Sequence, residues 1–167
     1  MINQLLNNAQ RSSYRRWVLN RLLWYKIPFN RPHRIEIIKV ESDAITMRLP
    51  FRNRNKNHIN GMHACALATL CEYISGMSLA RVIDAKKYRF ILQKLEMTYH
   101  YQAKKDVIAR LVLTEKWIND EFIVPLQNSG TILKEIKIEL FDTEQNLICV
   151  GNPVWQIKSW DAVKTKI

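Results

Sequence analysis

The amino-acid sequence predicts an α+β domain in which an antiparallel sheet packs against one long buried helix. Along its 167 residues the patterns read as one helix, two strands, a long apolar stretch and about four more strands. The apolar stretch, over about residues 61–79, is rich in Ala and Leu and is long enough for a buried helix. Runs of strands around one such helix form a sheet that covers it. The length is that of one domain.

The N-terminal region has helical periodicity over residues 3–26, where apolar residues recur at spacings of three or four with arginines between them. Pro28 and Pro32 end the pattern. We therefore expect an amphipathic helix within residues 1–27 that packs on a single domain of residues 28–167. The alternative is a basic helix that makes weak contact with a membrane surface.

The segments on both sides of the apolar stretch alternate like half-buried strands. Residues 34–40 and 44–49 form the first pair, joined by the hairpin turn Glu41-Ser42-Asp43. Residues 115–128 are predicted to be a short helix and a loop. The other predicted strands are 90–101, 106–114, 131–141 and 147–157.

The net charge of +11 favours an anionic partner. Because neither zinc-finger spacing nor an RNP-like motif is present, we expect no nucleic-acid partner.

Arginines interrupt the N-terminus, and no apolar run approaches the ~18 residues of a membrane span, so we expect neither a signal peptide nor a transmembrane helix. Three cysteines without a CxxC spacing indicate free thiols, no metal site and a cytoplasmic location.

One acidic residue stands out in the apolar helix. Glu72 is the only Asp, Glu, Lys, Arg or His between Ala64 and Ala80. A carboxylate is costly to bury as a charge. It either faces solvent or pairs with a basic side chain, or it lies in a largely dry cleft where its pKa suits nucleophilic or general-base chemistry.

The approach to this helix is polar, with Asn57, His58, Asn60 and His63 around Gly61. Backbone N–H groups at the start of a helix lack partners and point outward. They are suited to bind an anion or a developing oxyanion.

Residues 57–73, NHINGMHACALATLCEY, resemble the signature of hotdog-fold thioesterases of the phenylacetate-pathway type. That signature has an Asn, then six residues later the His of a His-Gly-Gly turn, then nine residues later an acid. Asn57, His63 and Glu72 match both spacings. Two features depart from the family: the turn reads His-Ala-Cys, and Glu replaces the usual Asp. The strand order agrees with the family over about residues 30–158.

The resemblance implies a hotdog fold, a sheet wrapped around the central helix, with an extra N-terminal helix. It also implies hydrolysis of an acyl thioester, carried by coenzyme A or by an acyl carrier protein, with no cofactor besides the coenzyme A of the substrate. By position, Glu72 is the base or nucleophile, the Ala64 amide polarises the thioester carbonyl, Asn57 positions substrate or water, and His63 shapes the turn. Candidates for phosphate contacts are Lys104, Lys105, Arg52 and Arg54.

The spacing of Ala64 and Glu72 along the helix limits how one site can be built. Ala64 and Glu72 are eight residues apart on one helix, or about 12 Å along its axis, so they cannot both lie ~3 Å from one carbonyl. We therefore expect a site shared between two subunits related by a two-fold axis. The family's dimers, which often pair into tetramers, agree with this.

Two other functions stay open. A hotdog hydratase or dehydratase uses a His as its base, and His58 and His63 are candidates. A non-catalytic acyl-CoA-binding protein fits the departure from His-Gly-Gly. The fold serves all three functions.

Overall fold

The computed structural model describes residues 2–163 as a sheet of seven strands with helices packed on it. In chain order the elements are α1 (Ile2–Arg11), α2 (Ser13–Lys26), β1 (Glu36–Val40), β2 (Ala44–Leu49), a 3-10 turn (Asn53–Asn55), α3 (Ala64–Val82), β3 (Tyr88–Tyr99), β4 (Val107–Val112), α4 (Glu115–Ile118), a π-helical turn (Asn119–Ile123), α5 (Val124–Ser129), β5 (Thr131–Glu135), β6 (Ile138–Asp142), β7 (Leu147–Ser159) and a 3-10 turn (Trp160–Ala162). The last four residues of the predicted domain 28–167 lie outside the described part.

The sheet has the strand order β1-β2-β4-β6-β7-β3, and β5 also pairs with β7. Every pairing is antiparallel. Helix α3 packs against β2, β4, β6, β7 and β3, so one helix faces most of the sheet. The predicted α+β class, with an antiparallel sheet around a central helix, is confirmed.

Helix α3 forms because Ala, Leu and small residues follow one another without Pro. It begins at Ala64, three residues later than predicted, because Met62 still pairs with Lys56 in an isolated β-bridge. His63 then caps the helix. Eleven of its 19 residues are buried, which is why the sequence shows no polar face.

Gly151 sets how closely α3 approaches the sheet. A Cβ atom at this position of β7 would lie 2.2 Å from Cys71 Sγ and 2.8 Å from Met97 Sδ. Only glycine fits there without moving the helix or its neighbours. The buried thiols of Cys71 and Cys149 lie in this region, and burial raises the pKa of each to about 12.

The predicted single helix over residues 3–26 is wrong, since the structure has two helices with a break at Ser12. The Ser12 hydroxyl accepts a hydrogen bond from Arg15 N–H and so begins a new helix. The break lets α1 bury Leu6 and Ala9 and pack against α3, while α2 packs along β1. Among residues 2–163, no helix is long and apolar enough to cross a membrane.

The predicted strand 131–141 is also wrong, because it is two strands, β5 and β6. Both pair with β7, but the ladder is interrupted where Pro153 lies opposite them. The Pro153 carbonyl accepts a hydrogen bond from Ile136 N–H, whereas its nitrogen has no hydrogen to donate in return. The alternation of apolar residues continues across the break, so the pattern alone gives no sign of it.

Residues 115–129 are helical throughout rather than a short helix and a loop. Thr114 caps the start, and Gly130, with φ +66°, ends it in the left-handed conformation. A π-helical turn lies in the middle, just before Pro125, whose missing N–H favours such an irregular turn.

The two edges of the sheet differ. On the outer side of β1, the Asn20 side chain of α2 accepts a hydrogen bond from Ile37 N–H and donates one to Ile37 O, at 2.9 and 3.1 Å. At the other edge, β3 is 12 residues long and pairs only with β7 among the described residues. An uncovered edge of this length is a template for pairing with another strand.

Candidate functional site

Glu72 lies in an open cleft of about 500 Å³ on the surface of α3. The walls come from α3 itself, from β3 and from the segment after α2. The lining is predominantly apolar, and its members besides Glu72 are Ile27, Phe29, Asn30, Ala68, Thr69, Tyr73, Leu92 and Leu95.

Glu72 is half-buried, and the loss of solvent around its carboxyl group raises its pKa above the ordinary value of 4.5. Within residues 2–163 it forms no salt bridge with a basic side chain, so no counter-charge offsets the cost of its partial desolvation. One carboxylate oxygen points toward Gly76, 3.8 Å from where a Cβ atom would be. The group is therefore a carboxylate of raised basicity with access to an apolar cleft.

Asn30 is a residue of this cleft that the sequence analysis missed. It is 3% exposed, and it lines the cleft together with Glu72. An amide can both donate and accept hydrogen bonds, so its side chain is suited to bind a water or a ligand in the cleft. Its position between Pro28 and Pro32 gave no signal, because its link to Glu72 exists only in three dimensions.

The first turn of α3 presents a backbone N–H group rather than a side chain. His63 Nδ1 accepts a hydrogen bond from Cys65 N–H at 3.0 Å, which satisfies that amide. Among residues 2–163 the Ala64 N–H has no acceptor. Tyr99 Oη donates to Ala64 O at 3.1 Å and ties the turn to β3. The turn therefore leaves a single amide open, at the end of the helix that attracts anions.

Ala64 and Asn57 line a second cleft, of about 400 Å³, together with residues 99–103. Asn57 Oδ1 accepts hydrogen bonds from Ile59 N–H at 3.1 Å and from Gly61 N–H at 2.9 Å. The side chain thus holds the loop before α3 in shape, and only its amide NH₂ remains to donate to a ligand.

Within one chain the predicted site residues form two groups rather than one. Asn57, His63 and Ala64 lie at the start of α3, whereas Glu72 opens into the other cleft. The two clefts share no lining residue.

The four basic candidates are also dispersed. Lys105 forms an ion pair with Glu144 on the β6–β7 turn. Lys104 directly follows Gln102 and Ala103, which line the cleft at Ala64. Arg52 lines a separate hollow beside Arg21, Trp24 and Arg34. Arg54 lies exposed in the 3-10 turn before the loop. Within the described chain, no group of three His, Cys, Asp or Glu could hold a metal ion.

Solved structures of thioesterase-like proteins resemble this chain over most of their length. A protein of unknown function from Pseudomonas aeruginosa, described as a probable thioesterase, is 23% identical, covers 84% of this chain and 94% of its own, and has a TM-score of 0.77. A thioesterase from Haemophilus influenzae is 15% identical, with coverages of 88% and 92% and a TM-score of 0.67. A mutant thioesterase from Pseudomonas aeruginosa is 14% identical, with coverages of 86% and 94% and a TM-score of 0.66. These likenesses confirm the hotdog fold.

No curated protein matches the chain. A family model does: it is described as a domain of unknown function, DUF4442, and it matches residues 15–157. Since that range is most of the 167 residues, the chain belongs to the DUF4442 family.

Proposed function

We propose that the protein hydrolyses an acyl thioester, with Glu72 as the reacting carboxylate. The observation that carries this proposal is the state of Glu72: half-buried in an apolar cleft, unpaired among the described residues, and raised in pKa. A carboxylate with only a structural role normally has an ion-pair partner or is fully exposed to solvent, because removing solvent from an isolated charge is costly. The thioesterase descriptions of the similar structures support the same chemistry.

The chemistry needs a second group that stabilises the oxyanion, and the open N–H of Ala64 is suited to that role. It lies about 12 Å along the helix from Glu72 of the same chain. Each complete site therefore combines Glu72 of one copy with Ala64 of another. A two-fold axis makes two such sites at once.

The uncovered edge of β3 supports a particular way to join two copies. Leu92 and Leu95 of this strand line the Glu72 cleft, and Tyr99 near its end lines the Ala64 cleft. Antiparallel pairing of two β3 strands about an axis near Met97 would set Leu95 of one copy beside Tyr99 of the other. The two half-sites would then face each other.

In the proposed reaction, the Glu72 carboxylate removes a proton from a water molecule whose oxygen attacks the thioester carbonyl carbon. The carbonyl oxygen becomes an oxyanion and accepts a hydrogen bond from the Ala64 N–H. The C–S bond then breaks, and the departing thiolate takes the proton from Glu72. Direct attack by the carboxylate, followed by hydrolysis of the resulting anhydride, reaches the same products. The Asn30 amide, in the same cleft, is placed to hold the water.

The substrate is proposed to be an acyl-CoA or an acyl carrier protein thioester. Lys104 is exposed just after the residues that line the Ala64 cleft, and it is the basic candidate best placed for a phosphate. Arg52 opens into another hollow, which makes it a weaker candidate.

A panel of acyl-CoAs with short, long and aromatic acyl groups tests the proposal. Release of free thiol, lost in Glu72→Gln, is the expected result. Hydration of an enoyl-CoA without thiol release would assign the site to a hydratase. Tight binding without turnover would assign it to a binding protein, the second candidate, which the Ala-Cys replacement of the usual glycines favours. Either outcome would overturn the proposed hydrolysis.

A further inference from the structure

Helix α2 exposes large aromatic side chains on the side away from the sheet. Tyr14, Trp17 and Tyr25 are 70%, 53% and 73% exposed. Together with Arg21 they follow a spacing of three, four and four residues, which places them along one stripe of the helix. We call these four residues the aromatic face of α2. Exposed apolar residues that occur singly need no explanation, but a continuous stripe indicates a binding surface.

The rest of the molecule does not share this feature. Of the twelve large apolar side chains that are strongly exposed in residues 2–163, five lie between Tyr14 and Phe29. The opposite side of α2 is packed normally, with Leu19 and Leu23 buried against the domain. The aromatic face is thus an addition to a helix that is already held in place.

The segment that carries the face has only positively charged side chains, and Glu36 is the first acidic residue near it, in the hollow that Arg21 lines. Residues 1–35 contain seven lysines and arginines and no acidic residue, so they supply seven of the eleven net positive charges. The cations contact the rings: Arg21 lies 5.1 Å from the Trp17 ring and 4.7 Å from the Trp24 ring, and Lys26 lies 5.9 Å from the Tyr25 ring. Aromatic rings interleaved with cations are suited to a partner that is apolar beneath an anionic surface.

We infer that the aromatic face of α2 binds the surface of an anionic lipid membrane. The helix would lie in the plane of the interface, with Trp and Tyr rings at the level of the headgroups and the cations on lipid phosphates. The chain then continues to Phe29, 71% exposed, which also lines the Glu72 cleft. The mouth of that cleft would therefore open close to the membrane. This inference goes beyond the proposed function and does not depend on it.

Flotation of the full-length protein with vesicles tests the inference. Binding is expected to vesicles of phosphatidylcholine mixed with phosphatidylserine, to be weaker on phosphatidylcholine alone, and to fall as salt is added. Trp17→Ser should weaken binding by about tenfold or more, since burying such a side chain is worth at least that factor. Leu133→Ser, at a side chain of β5 that is 55% exposed, is the matched control and should bind normally.

A second pair of variants tests the charges. Arg21→Gln with Lys26→Gln should weaken binding by about fivefold for each charge, or about twenty-five-fold together. Lys86→Gln with Lys116→Gln removes two charges outside residues 1–35 and should have little effect. Circular dichroism of each variant confirms that it is folded.

Three results would overturn the inference. The first is that the wild-type protein floats with neither kind of vesicle. The second is that it floats, but that the control variants lose binding as much as the variants of the aromatic face. The third is that Trp17→Ser changes the oligomeric state without altering flotation, which would assign the face to contact with a second copy of the chain.

Discussion

The middle and the first turn of helix α3 are built in opposite ways. In the middle, Glu72 is an ionisable group among apolar residues, and burial raises its pKa. At the first turn, the feature is a backbone group, the open Ala64 N–H, next to a polar loop held by Asn57 and His63. In the proposed reaction, one helix therefore supplies both the base and the oxyanion donor, at positions about 12 Å apart along its axis. A second copy of the chain can then bring them together.

The largest effect is expected from the middle of the helix. Glu72→Gln keeps the shape of the side chain and removes its ability to accept a proton. Thioester hydrolysis should fall by about 10²–10⁴-fold, the range for losing a general base. Steady-state kinetics with acyl-CoA measure it, and near-normal turnover would remove Glu72 from the mechanism.

A slightly smaller effect is expected at the first turn. Ala64→Pro deletes the open N–H at a position where proline suits a helix, and His63 already has the extended conformation that proline requires. Hydrolysis should fall by about 10²–10³-fold with the fold intact. Ala64→Ser keeps the amide and is the matched control. Equal losses in both variants would show that the side chain matters and the amide does not.

Mixing the two inactive variants tests whether the half-sites belong to different chains. A dimer of one Glu72→Gln chain and one Ala64→Pro chain has one wild-type site and one doubly altered site. Random exchange of subunits should therefore restore up to about a quarter of wild-type activity. Exchange is verified with differently tagged chains. If exchanged dimers stay inactive, both groups act from the same chain.

The smallest effect concerns pH and stability. Because the pKa of Glu72 is raised, the folded protein keeps this proton where the unfolded chain has lost it. Its contribution to stability is present below the ordinary pKa of 4.5 and is lost as the pH rises through the raised value. Glu72→Gln has no proton to lose at this position, so in neutral buffer its melting temperature should be higher than that of the wild type. In acid the two melting temperatures should differ little.

The activity of the wild-type protein should increase with pH, in contrast to its stability, because only the deprotonated Glu72 can accept a proton in the proposed reaction. The value of kcat/KM should rise as Glu72 loses its proton. A pH profile that is flat across the range above 4.5, or a Glu72→Gln variant that is less stable in neutral buffer, would contradict the burial of this group.

The parts of the fold that the sequence predicted are those that local pattern controls. Strand β2 has the predicted bounds because alternation begins at Ala44 and Pro50 ends it. The missed features depend on partners far away in the chain. The break between β5 and β6 follows from Pro153 on the neighbouring strand. The wall of the Glu72 cleft includes Asn30, which no spacing connects to α3.

In the candidate site, too, local sequence pattern predicts some features, whereas others depend on the three-dimensional arrangement. A single carboxylate in an apolar helix marks Glu72 from sequence alone. The loop-holding role of Asn57 could not be foreseen, because an Asn at a turn either accepts from the local backbone or faces a ligand. Only the three-dimensional arrangement distinguishes the two.

The close contact at Gly151 makes positions 71 and 151 a pair that shares one small volume. A methyl group at 151 would occupy the place of the Cys71 sulfur, so either position can grow only when the other shrinks. Related chains with alanine at 151 should therefore carry alanine or glycine at 71. Laboratory selection for function, starting from Gly151→Ala, should recover Cys71→Ala more often than changes elsewhere. In related chains, the residues at these two positions would then indicate how closely the helix approaches the sheet.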